Sequence, residues 1–253
     1  MLTLDQSLPL GALIGQEGAC LAQRLAAEGA VWFSAATDSL RVEDGRISGW
    51  TARVGSALAE PTLPNQGGTR FDEARRGLWL TKGNHGGLAL RGAAARAGSF
   101  TAAVIYSTPD DDARSLLAVN TGTANNLIFL SDAEGEVTAK DRSGGIAAVL
   151  PAPRGVGPKL AMVSLSAQGV FLRAGARTTM AQGRVQGMDA PADLFIGCRS
   201  DRSGLVKTLG GARIHDVIFW AGRAVLAQTD PADAARLELL DRYLRWTYAG
   251  TAA

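Results

Sequence analysis

Short apolar runs recur along the whole chain, each a few residues long and each ended by a glycine or a cluster of turn residues. Thirty-one glycines are spread through the 253 residues rather than gathered in one tract. A chain interrupted this often suits many short strands joined by tight turns, not βαβ units. The runs include Val31–Phe33, Leu40–Val42, Arg46–Trp50, Leu116–Val119, Leu127–Leu130, Glu136–Lys140, Lys159–Ser166, Val170–Ala174, Leu194–Cys198 and Ala212–Trp220. Glu43-Asp44-Gly45 separates two of them, and Asp-Gly favours a hairpin turn with positive φ. Ser99–Ser107 reads as the best central strand, because it is β-branched and aromatic with apolar residues on both faces. Strands at intervals of about 8–15 residues favour a sandwich or barrel.

Two segments break this pattern. Gln16–Glu28 is rich in Ala, Leu, Gln and Glu, with Leu21 and Leu25 four apart, and predicts a short helix stopped by Gly29. Residues 1–30 therefore read as either an attachment or oligomerisation arm or an edge element of the sandwich formed by residues 31–253. At the other end, Thr229 or Asp230 can cap a helix whose first turn holds Pro231. Leu237, Leu240, Leu244 and Tyr248 recur at helical spacing, and Leu239, Tyr243 and Trp246 widen the stripe. The expectation is a helix packed on the sandwich.

Apolar residues make up 46% of the chain and charged residues 20%, enough for a sizeable core. The formal net charge is +2, and no basic stripe is interleaved with aromatics, so nucleic acid is not the expected partner. No apolar run approaches the roughly 18 residues of a membrane span. Met1–Gln6 lacks a basic segment and carries Asp5, which does not resemble a secretory signal. Two cysteines, Cys20 and Cys198, rule out a disulfide framework, and their spacing leaves open whether they pair.

The chemical motifs are sparse. Asp132-Ala-Glu134-Gly-Glu136 has alternating acids like a glycosidase pair, but Gly135 marks it as a hairpin turn. Ser164-Leu-Ser-Ala-Gln-Gly lacks the glycine that a nucleophile elbow places before its serine. His85 falls in a glycine-rich loop and His215 in an apolar strand, and with two distant cysteines they form no zinc pattern. Calcium is the one metal with candidate ligands: Asp110, Asp111 and Asp112, or Asn120, Asn125 and Asn126. The expectation is a protein that is not an enzyme, with no cofactor beyond a calcium ion.

Trp32-Phe-Ser-Ala-Ala-Thr-Asp38, followed by Leu40–Trp50, resembles the opening of bacterial laminin-G-like, concanavalin A-like modules. Ile214–Trp220, a connector, and Ala235–Leu244 with Tyr248 are similar to their last strand and closing helix. The resemblance spans residues 31–249 and implies an all-β concanavalin A-like jelly-roll sandwich of two antiparallel sheets with a C-terminal helix. It carries fold more than ligand. Joined to the absence of a signal, it implies a particle-borne role outside the cell: a head fibre or spike of a phage or gene transfer agent. Such a protein would bind bacterial surface or capsular polysaccharide as a homo-oligomer or on a multimeric base. The alternatives are a capsid-decoration protein without sugar binding, and a glycan hydrolase or lyase.

Sugars need planar hydrogen-bonding groups and an aromatic platform. The residue types that supply them are Asn120, Asn125 and Asn126 in one loop and Arg199, Asp201 and Arg202 in another. Trp79 and Tyr106 are the candidate aromatics.

Overall fold

A computed structural model describes residues 15–108, 112–123, 126–155, 157–201 and 206–249. Helix α1 (Glu17–Ala27) precedes the strands β1 (Val31–Ser34), β2 (Leu40–Glu43), β3 (Arg46–Thr51), β4 (Leu58–Pro61), β5 (Arg70–Asp72) and β6 (Gly77–Leu80). The middle of the chain forms β7 (Leu88–Ala94), β8 (Phe100–Ser107), β9 (Arg114–Asn120), β10 (Leu127–Ala133), β11 (Glu136–Asp141) and β12 (Ala147–Pro151). Then follow β13 (Lys159–Ser166), β14 (Gly169–Ala174), β15 (Arg177–Gln182), β16 (Ala192–Ile196), β17 (Ala212–Ala221) and helix α2 (Ala232–Thr247). One sheet has the order β15-β14-β13-β8-β17-β6-β5, with β1 also on β17, and the other has nine strands ordered β12-β11-β10-β9-β16-β7-β4-β3-β2. The pairings are antiparallel. This is the two-sheet jelly-roll sandwich with a closing helix that the sequence predicts.

Strand β8 explains the layering. Phe100, Ala102, Val104 and Tyr106 point inward to the core between the sheets, while Ala103 and Ile105 point outward into a second apolar cluster. A half-buried strand would alternate apolar and polar; this one is apolar at both phases because something covers its outer face. The cover is α1 and α2. Leu21, Leu25, Leu240 and Tyr243 lie against Ile105, Met162, Ile218 and Trp220 of the eight-stranded sheet. Residues 15–30 thus pack on the sandwich, and residues 1–14 lie outside the described ones.

Polar links fix the cover in place. Asp216 is fully buried on β17, where a register shift between Ile214 and Asp216 inserts one extra residue. That bulge turns Asp216 to the helix side while Ile214 and Val217 both stay in the inner core. Its carboxylate accepts hydrogen bonds from Trp32 Nε1 at 2.8 Å, Tyr243 Oη at 3.2 Å and Tyr248 Oη. Burial beside this carboxylate pushes the pKa values of both tyrosines up, so they stay neutral donors. Glu28, just after α1, accepts from Trp220 Nε1 at 3.0 Å and pairs with Arg236 of α2 at 2.7 Å. Asp230 supplies the expected cap, accepting from the Ala232 amide at 2.8 Å.

The expected Asp44-Gly45 turn forms, with φ of 51° and 73° at its two residues. Glu134 and Gly135 form a second such turn, with φ of 56° and 79°. Asp132 belongs to the strand instead and is buried, accepting from Tyr106 Oη at 2.7 Å. His85 is buried and tied to Thr62 and the Ser200 carbonyl rather than loose in a loop. Among the described residues no helix is long and apolar enough to cross a membrane.

Two stability predictions follow from the cover. Asp216→Ala leaves three buried donors without their acceptor and should cost roughly 3 kcal/mol or more in chemical denaturation, against about 1 kcal/mol for Tyr248→Phe. A loss below that of Tyr248→Phe would remove Asp216 from its anchoring role. Leu25→Ala, at a fully buried α1 position, should cost about 2–5 kcal/mol.

Candidate ligand face

With the eight-stranded sheet covered by the helices, the outer face of the nine-stranded sheet is the other broad face of the sandwich. Its register lines up one residue from each of six strands. Lys140 on β11 is opposite Phe129 on β10, and Phe129 is opposite Ala118 on β9. Ala118 is opposite Phe195 on β16, then Ala89 on β7 and Glu60 on β4. Two large rings on either side of Ala118, with Ala89 beyond the second, make a stepped apolar floor joined by Leu127, Cys198 and Leu209.

Arginines roof the rings, which are only 3% exposed. Arg199 lies over Phe129 with its guanidinium carbon 3.5 Å from the ring centroid, and Arg91 lies over Phe195 at 5.4 Å. The two arginines differ in electrostatic setting. Arg91 donates to Asp201 through both terminal nitrogens, at 2.9 and 2.7 Å, and to Asp193 at 2.9 Å. Its hydrogen bonds to Asp201 and Asp193 push its pKa up against the opposing effect of burial. Burial pulls Asp201 upward, but Arg91 and the Leu63 amide outweigh it and hold the carboxyl below its ordinary range. Arg199 donates Nε to Ser115 Oγ at 2.7 Å, and burial lowers its pKa to about 10. Among the described residues no carboxylate pairs with it.

Ser115 reaches this face through a second bulge. The β9–β10 register shifts between Leu130 and Ser131, so Leu116 and Leu117 both point inward and Ser115 turns out beneath Arg199. Asn120, two residues beyond Ala118, sits opposite Asp193. Its side-chain nitrogen donates to the Arg199 carbonyl at 3.4 Å and its oxygen accepts from the Gly122 amide at 2.8 Å. A shallow cleft of about 200 Å³ lies here, lined by Asn120, Thr121, Asp193, Phe195, Ser200 and Asp201. A wider cleft of about 720 Å³ opens at the sandwich edge beside Asp141, Arg142, Arg184 and Gln186.

The structure therefore brings together three of the residues singled out by type, Asn120, Arg199 and Asp201. It does not bring in the others. Tyr106 is fully buried between the sheets, so it cannot serve as a platform. Trp79 lies on the other sheet, under Arg213 at 5.0 Å. Asn126 is buried and its amide is engaged by the Gln186 carbonyl and the Leu127 and Arg142 amides. Asp112 is held by Lys82 and by Arg114 at 3.0 Å, and the Lys82 hydrogen bond does most to keep its pKa low. Its carboxylate is thus occupied by protein cations rather than open to calcium. Asn125, Arg202, Asp110 and Asp111 lie outside the described residues. Among the described residues no group of three or more His, Cys, Asp or Glu could hold a metal ion. Phe129, Phe195, Ser115, Arg91, Asp193 and Lys140 escaped sequence reasoning, because their meeting depends on cross-strand register.

No family model matches the chain, and no curated protein matches it in sequence. Solved structures share its fold. Trypanosoma rangeli sialidase in complex with sialic acid aligns with 87% of this chain and 33% of its own at 14% identity, TM-score 0.55. An arabinofuranosidase complexed with arabinofuranosyl-α-1,2-xylobiose aligns with 88% of this chain and 65% of its own at 9% identity, TM-score 0.55. The binding domain of botulinum neurotoxin DC in complex with SialylT aligns with 78% of this chain and 52% of its own at 7% identity, TM-score 0.52. The chain spans about a third of the length of the sialidase it matches. Likeness at these identities carries the lectin-like β-sandwich fold and no more. It does correct one expectation. Two of these proteins, a sialidase and an arabinofuranosidase, are enzymes, so the fold is compatible with catalysis and the expectation of a non-enzyme does not stand.

The cysteines offer a direct check on the face. Both are free; Cys20 is half-buried on α1, and Cys198 is fully buried in the apolar floor of the other sheet. Burial pushes the Cys198 thiol up to about 12. In the native protein a maleimide reagent should label Cys20 and leave Cys198 unmodified until denaturant is added, read by peptide mass spectrometry. Comparable labelling of both in buffer would mean that the 197–201 segment does not close over the sheet as described.

Proposed function

We propose that this sandwich recognises carbohydrate with the outer face of the nine-stranded sheet. The observation that carries the reading is a shallow cleft lined by Asn120, Asp193 and Asp201, with Arg91 bound to both acids and Arg199 over the neighbouring Phe129. These are the planar amide, carboxylate and guanidinium groups that meet sugar hydroxyls in pairs. The sugar-bearing complexes of the same fold agree with it. A cleft this shallow binds weakly per site, so several copies on one particle gain strength through avidity. Display as a head fibre or spike of a phage or gene transfer agent, on bacterial surface or capsular polysaccharide, is the setting this reading favours.

A second reading, a glycan-processing enzyme, draws on the same cleft, where Asp193 and Asp201 both contact Arg91. Most glycoside hydrolases use two carboxyl groups, one ionised and one carrying a proton. Asp201, held ionised, suits the first role.

Immobilised-polysaccharide binding tests the main reading. Asn120→Ala should weaken binding roughly three- to ten-fold, with a loss of stability of only about 1 kcal/mol from its bonds to the Gly122 amide and the Arg199 carbonyl. An unchanged affinity, or binding abolished only by substitutions on the helix-covered sheet, would overturn it. Release of reducing ends that stops in Asp201→Asn would move the protein to the second reading.

A further inference from the structure

We propose that this face selects glycans bearing a carboxylate and that Arg199 is the group that receives it. The inference rests on the reading that the face binds carbohydrate, and it names the class of sugar. Its starting point is the contrast between two arginines placed alike. Each lies over a phenylalanine of the same cross-strand row. Arg91 is neutralised by Asp193 and Asp201. Arg199 has no carboxylate partner among the described residues, although it is half-buried.

The surroundings add positive charge rather than remove it. Lys140 reaches the same Phe129 ring at 5.6 Å, and among the described residues it too lacks an acidic partner. The two acids nearest the cleft are already bound to Arg91. Neutral hydroxyls on a ligand would leave this end of the face uncompensated.

Arg199 is also prepared for a planar anion. Phe129 supports one face of the guanidinium and Ser115 Oγ holds its Nε. Its two terminal nitrogens make no hydrogen bond within the described protein and are not fully sealed from solvent. A fork fixed in this way loses little freedom when it pairs with both oxygens of a carboxylate. Lysine could not reproduce that geometry, since its ammonium is a point charge on a flexible stem.

The test uses the full chain against polygalacturonate, alginate, hyaluronate and polysialic acid, each also in a carboxyl-reduced form that keeps the backbone and loses the charge. Dextran sulfate serves as a polyanion without carboxylates. At physiological salt at least one acidic polymer should bind, and its carboxyl-reduced form should bind at least ten-fold more weakly. Arg199→Gln should lose a similar factor, roughly ten- to hundred-fold, while remaining folded, with the melting temperature lowered only by the lost Ser115 bond and ring contact. Arg199→Lys should recover only part of it. Should Arg199→Gln unfold, carboxyl reduction of the polymer asks the same question of the native protein. Equal binding to acidic and reduced forms would overturn the inference while leaving carbohydrate recognition intact. Equal competition by dextran sulfate, or an unaffected Arg199→Gln, would overturn it as mere charge attraction. Binding to no polymer in either form counts against both readings.

Discussion

The buried carboxylate of Asp216 holds the arrangement from which the other features follow. A two-sheet sandwich has two outer faces, and here one is apolar and closed. Trp32, Tyr243 and Tyr248 converge on Asp216 from β1, from α2 and from the residue after it. Glu28 adds a second tie between the end of α1, α2 and Trp220. Carboxylate burial is tolerated because neutral donors satisfy it, and removal of the acceptor would strand all of them. The apolar outer phase of β8, β13 and β17 makes sense only beneath this cover.

The bulges on β17 and β9 set one polar position on each of the two faces. On β17 the extra residue turns Asp216 toward the helices; on β9 it turns Ser115 toward solvent and under Arg199. In both cases the inner apolar alternation resumes beyond the bulge, so the core is undisturbed while one polar side chain changes sides. The closed face gains an anchor, and the open face gains the support of its unpaired cation. Arg91 and Arg199 both lie over rings of one cross-strand row, but Arg91 is bound by two acids whereas Arg199 sits closer to its ring and is held by Ser115.

Much of the fold is legible in the sequence, and little of the ligand face is. Ser99–Ser107 announces a central strand because it is apolar at both phases, and Leu240 and Tyr243 announce a packing helix through their spacing. The same double apolarity hides which phase of that strand faces the core, which is why Tyr106 passes for an available ring when it is fully buried. Trp246, grouped with the helix stripe by spacing, is 44% exposed, because the helix end turns Tyr243 and Tyr248 toward Asp216 and leaves Trp246 on the solvent side. Asn120, Arg199 and Asp201 are legible by residue type. Their supports are not: Phe129 and Phe195 are 66 residues apart and meet only through Ala118 between them. The role of Ser115 depends on a bulge that no local pattern marks.

Hydrogen exchange by mass spectrometry, with and without a saturating bound polysaccharide, tests the division into a closed and an open face most directly. Slowed exchange should concentrate in β9, β10, β16 and residues 197–201, with α1 and α2 unchanged. Protection confined to the helices, with none on the nine-stranded sheet, would contradict it.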